Sequence, residues 1–96
     1  MNISFEAPYY NFIQKEVIKS IEIYNKFLNW TQSEFDLYQK DELDGLKVYF
    51  PNGCFTIKII NKKAGIINAE ICVKSKSKKF GFKTYQKIES LYFHLI

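Results

Sequence analysis

"LKVYF-PNG-CFTIKII", Leu46 to Ile60, holds two runs of alternating apolar and polar residues joined through Pro51-Asn52-Gly53. Asn-Gly favours a two-residue hairpin loop, because both loop positions need a positive φ that these residues adopt at low cost. With Asn52 and Gly53 as the loop, Phe50 faces Phe55, Val48 faces Ile57 and Leu46 faces Ile59. Every pair sets apolar against apolar on one face, so the register is self-consistent. Extending through the turn "NKKAG" pairs Ile59 with Ile67, Ile57 with Ala69 and Phe55 with Ile71. The third strand then runs from Ile66 to about Lys74 on the same apolar face.

Working outward, Phe80 to Phe82 reads as a short fourth strand, with Gly81 permitting a bulge. Phe80 and Phe82 are expected to plug the core. Thr84 then caps a last helix whose stripe is Ile88, Leu91, Tyr92 and Leu95. Upstream, Pro8 suits a first helical turn, and Ile13, Val17, Ile21, Tyr24 and Leu28 recur at helical spacing. Phe12, Ile23 and Trp30 fall off that stripe and form a second apolar edge, which points to an oligomer interface and a homodimer. Residues 31–45 stay open between a short helix capped by Ser33 and an edge strand carrying Phe35 and Leu37.

The expected fold is therefore a single α+β domain over residues 1–96. It is two-layered, with a long N-terminal helix, a three- or four-stranded antiparallel β-meander and a C-terminal helix. Ninety-six residues leave no room for a second core. A composition 47% hydrophobic and 25% charged is that of a globular chain, not a disordered one. The start, Met-Asn-Ile-Ser-Phe-Glu-Ala-Pro, reads as no signal peptide, and no apolar run approaches a membrane span. Two cysteines are too few for a secreted disulfide scaffold, so a cytoplasmic protein with reduced thiols is expected.

Charge is lopsided. The net +4 divides into four lysines and eight acids before Lys47, and ten lysines and two acids from Lys47 onward. That asymmetry favours an anionic partner for the second half, and equally suits head-to-tail self-association or solubility. All fourteen basic residues are lysine, and the lack of arginine counts against reading of base edges. The hairpin register lists the outward residues as Lys47, Tyr49, Thr56, Lys58, Ile60, Asn68, Glu70, Cys72, Lys74 and Lys76, with Lys47 directly opposite Lys58. Lysines interleaved with tyrosine are the side chains that hold single-stranded nucleic acid by charge and stacking. On a solvent face the same lysines also blunt sheet edges. "KSKSKKFGFK" extends the set with Lys78, Lys79 and Lys83 beside the start of the last helix, where unpaired N–H groups favour anions.

Helix, three strands and helix, with Lys78-Lys79 to Lys83 at the second helix, resembles the order in double-stranded RNA-binding domains. The tight Pro51-Asn52-Gly53 turn and the bulky Tyr85, Tyr92 and Phe93 depart from that family's pattern. In size and lysine-only usage the chain also resembles small accessory proteins of phages and mobile elements, many of which block a host defence.

Catalysis is not expected. His94 stands alone, and Cys54 with Cys72 makes an incomplete zinc site. Asp41, Glu42 and Asp44 read as a solvated loop rather than a metal site, and no phosphate loop or nucleophile elbow occurs. No metal and no cofactor is expected. The sequence points to a non-enzymatic binding protein for nucleic acid or nucleoprotein. A protein–protein inhibitor or assembly subunit is the alternative.

Overall fold

A computed structural model of the chain describes residues 1–42 and 45–95; Asp44, placed above in an acidic loop, lies outside the described residues. Two strands come first, β1 (Asn2–Glu6) and β2 (Tyr9–Ile18), followed by helix α1 (Ile21–Glu34). Strands β3 (Lys40–Asp41), β4 (Leu46–Phe50), β5 (Gly53–Lys63) and β6 (Ile66–Ser75) precede helix α2 (Lys78–Leu95). The strands form one antiparallel sheet in the order β1-β2-β6-β5-β4-β3. Both helices contribute to the core on one face of it.

The long N-terminal helix and the three- or four-stranded meander are thus corrected. Residues 2–18 are a hairpin turning at Ala7-Pro8, whose peptide is cis, and β2 sits against β6 rather than β3. The likeness to double-stranded RNA-binding domains in element order ends here, since two strands precede the first helix. The helical spacing of Ile13 and Val17 misled because these side chains point outward, Val17 being 63% exposed. The inward set of β2 is Tyr10, Phe12, Gln14, Glu16 and Ile18, opposite Ser75, Val73, Ile71, Ala69 and Ile67 of β6. Two polar residues in its middle hide the strand alternation. The Gln14 amide donates to the Glu16 carboxylate at 3.1 Å, and Glu16 lies close enough to Tyr85 and Tyr92 of α2 to add to the rise that burial gives both phenols.

The hairpin at the centre is real, but its loop is Pro51-Asn52. Gly53 pairs with Phe50, Phe55 with Val48 and Ile57 with Leu46. Proline presets the first loop φ, and Asn52 takes the second position at φ 70°. The register therefore slips by two residues, and because strand periodicity is two, each side chain keeps its face. The second turn uses Ala64 and Gly65, both at positive φ. Across it Phe55 pairs with Val73, Ile57 with Ile71 and Ile59 with Ala69, with a bulge between Ile59 and Asn61.

α1 starts at Ser20, whose hydroxyl accepts the Ile23 N–H at 3.2 Å, and buries Tyr24, Phe27 and Thr31. Thr31 Oγ1 donates to the Phe27 carbonyl at 2.8 Å, which satisfies a hydroxyl that would otherwise be stranded in the core. The open segment follows neither alternative: Ser33 lies inside α1 rather than capping a new helix, Phe35 is the buried residue that ends α1, Leu37 is exposed in the turn after it, and the two-residue β3 begins only at Lys40. The expected fourth strand and Thr84 cap are replaced by helix. Ser77 accepts the Phe80 N–H at 3.2 Å, so α2 begins at Lys78. Phe80 and Phe82 are half-exposed rather than core plugs, and Gly81 is the buried residue between them. Phe12, Phe27, Phe55, Ile57, Val73 and Ile88 make the fully buried centre.

Candidate functional site

Among the described residues no helix covers the outer face of the sheet. β4 presents Lys47 and Tyr49, β5 presents Cys54, Thr56 and Lys58, and β6 presents Glu70, Cys72 and Lys74. Cross-strand partners share a face, so Tyr49 stands beside Cys54, Cys54 beside Lys74, and Lys74 beside Asn11 of β2. Lys47 is opposite Thr56 and not Lys58, and its other neighbour is Asp41 of β3. The like-charge pair expected from the sequence is absent: Lys58 instead meets Glu70.

Two shallow depressions adjoin on this face. One, of about 220 Å³, is bounded by Lys47, Thr56, Lys58, Glu70 and Cys72 together with Cys54 and Lys74. The other, of about 470 Å³, is bounded by Tyr9, Tyr49, Asn52 and Lys76, again with Cys54 and Lys74. Lys74 therefore belongs to both. Each tyrosine already carries an ammonium over its ring: Lys47 Nζ lies 5.0 Å from the Tyr49 centroid, and Lys76 Nζ lies 5.8 Å from that of Tyr9. Glu70 is the one acid among the described residues lining either depression.

Cys54 and Cys72 are free and half-buried. They are diagonal neighbours, not the direct pair the sequence register implied, since Cys54 faces Lys74 and Cys72 faces Thr56. Burial pushes the Cys72 thiol up; nearby Lys74 and Lys58 oppose that, while Glu70 reinforces it. The result is a thiol held protonated, a poor nucleophile. His94 is exposed, with Nδ1 2.7 Å from the Ser90 carbonyl one turn back on α2. Among the described residues no three His, Cys, Asp or Glu side chains gather as a metal site.

Of the sequence candidates, Lys47, Tyr49, Lys58, Lys74 and Lys76 come together on the outer face. Lys78, Lys79 and Lys83 do not join them, because they lie on α2, in the helical layer against the opposite face. Phe12 is fully buried in the core and closed to a second chain; Ile23 is partly buried against it, and Trp30 is 41% exposed. Sequence reasoning missed Tyr9, Asn11 and Lys15. The inward alternation of Tyr10, Phe12 and Ile18 was the signal for a strand that turns Tyr9, Asn11 and Lys15 outward.

No family model matches the chain, and no curated protein matches its sequence. No helix among the described residues is long and apolar enough to cross a membrane.

Proposed function

We propose that the chain is a non-enzymatic binding protein that holds a nucleic-acid strand, free or within a nucleoprotein, on the outer sheet face. The observation that carries this reading is the pair of adjoining depressions in which Lys74 links the Tyr9–Lys76 and Tyr49–Lys47 pairs. Ammonium groups meet phosphates, and each phenol ring offers a base a flat surface whatever the base is. An exposed single strand fits this better than a duplex, whose bases are already stacked. Lysine alone gives charge without bidentate readout of base edges, so little sequence preference is expected.

A surface with affinity and no chemistry suits a stoichiometric blocker or accessory factor, in keeping with the likeness to small phage and mobile-element proteins. Free thiols at Cys54 and Cys72 fit a cytoplasmic setting.

The test is a titration of single- and double-stranded oligonucleotides at low and raised salt. Wild-type affinity should fall log-linearly with salt, by about 0.7 per phosphate contact on a single strand. Lys74→Gln should reduce that slope by about the same amount. Tyr49→Leu should weaken single-strand binding by roughly 1–3 kcal/mol and leave the slope unchanged. Absence of binding at low salt defeats the proposal.

A further inference from the structure

We infer that β1 is a self-pairing edge through which two copies of this chain join their sheets into one. Natural sheets protect their edges, because an unpaired strand edge recruits another strand. The far edge of this sheet is protected: β3 is two residues long, and both are charged. β1 is less protected, its one charge being Glu6 at the end of the strand. It is five exposed residues with no lysine, proline or bulge, and it pairs only on its β2 side. Its inward-pointing pair, Ile3 and Phe5, is 47% and 56% exposed. Beside that pair, Phe82 of α2, itself 39% exposed, stands 6.2 Å from the Phe12 ring.

The strand is complementary to itself. An antiparallel partner must keep apolar side chains on one face, so only registers that preserve parity are allowed. Among these, the one centred on Ser4 is the one that pairs all five residues. It sets Ile3 against Phe5 of the second copy, Ser4 against Ser4, and Asn2 against Glu6. No like charges meet. Charge is also complementary across the seam, because Glu6 comes within about 12 Å, Cα to Cα, of Lys15 on β2 of the second copy, a gap two long side chains span. The two-fold axis stands perpendicular to the sheet. The apolar strip of Ile3 and Phe5 is doubled on the helical side, and the two lysine–tyrosine faces share the other side. The inference stands on the edge alone and does not need a nucleic-acid ligand.

Light scattering on the eluted protein should give twice the 11.4 kDa chain mass, falling to the chain mass on dilution. Ile3→Lys/Phe5→Lys should yield monomer at all concentrations with unchanged circular dichroism, since neither side chain is buried. Register is tested by cross-linking with Cys54→Ser and Cys72→Ser in the background. Ser4→Cys should oxidise to a covalent dimer, because facing Cα atoms lie about 4.5–5.5 Å apart, within disulfide reach. Glu6→Cys should not, because its copies would lie over about 13 Å apart. Wild-type protein of monomer mass at every concentration overturns the inference. So does a dimer that survives Ile3→Lys/Phe5→Lys, or one in which Glu6→Cys links as readily as Ser4→Cys.

Discussion

Lys58 stands directly opposite Glu70 where β5 meets β6. The central lysine of the outer face is thereby set against the only acid among the described residues lining the depressions, and Glu70 repels the phosphates that Lys58 would attract. Glu70→Gln should tighten oligonucleotide binding by about two- to fivefold, the range of an exposed charge pair. It should also steepen the salt dependence, as Lys58 becomes available to a phosphate. Affinity unchanged at low salt would place the binding surface elsewhere on the molecule.

At Gly81, α2 lies directly against Phe12 and Ser75 of the sheet. A Cβ there would fall 2.6 Å from Cε2 of Phe12 and 3.0 Å from Cβ of Ser75, both fully buried. Alanine would gain about 1 kcal/mol of helix propensity. Displacing a core ring costs roughly 1–3 kcal/mol, so the net effect of Gly81→Ala should be a loss of up to about 2 kcal/mol. Denaturant unfolding checks this, and an increase in stability would mean that the Phe12 ring moves aside freely.

How far the sequence disclosed this arrangement depended on which residues oppose each other. Across β4, β5 and β6 the central inward positions Val48, Phe55, Ile57, Ile71 and Val73 are all apolar, and periodicity alone assigned them. The slip of two residues at Pro51-Asn52 changed partners but not faces, so Lys47, Lys58 and Lys74 stayed together outside. In β2 the inward positions include Gln14 and Glu16, which are tolerable only because they bond to each other under α2. The helix that lies over them comes some seventy residues further along the chain and leaves no trace in the residues around β2. Lys78, Lys79 and Lys83 were misplaced for a related reason. Ser77 starts the helix two turns earlier than Thr84 would, and the segment leaves the sheet before these lysines can join its outer face.

The hydroxyl of Tyr24 is buried and has no hydrogen-bond partner among the described residues. A stranded phenol loses its hydration without return, so removing the oxygen should help. Tyr24→Phe is expected to raise stability by about 1 kcal/mol at neutral pH. Chemical denaturation measures it directly. Destabilisation would show that the hydroxyl finds a partner in solution.

Tyr24, Tyr85 and Tyr92 are all pushed above the ordinary phenol value of 10.0, each first by burial. For Tyr85 the shift is large, because its hydroxyl also donates to the Glu89 carboxylate, whose charge opposes a second anion beside it. In the unfolded chain these phenols ionise near pH 10.0, while in the folded chain they stay neutral beyond it. Their stabilising contribution is therefore whole below pH 10 and is lost as pH rises from there toward the folded values. Unfolding free energy should be flat on their account at neutral pH and fall steeply in alkali, with tyrosinate absorbance from these rings appearing together with loss of structure. Tyr85→Phe separates the two roles of that hydroxyl. It should cost about 1 kcal/mol at neutral pH by leaving Glu89 without its donor, and it should make the alkaline decline shallower, because one raised phenol no longer titrates.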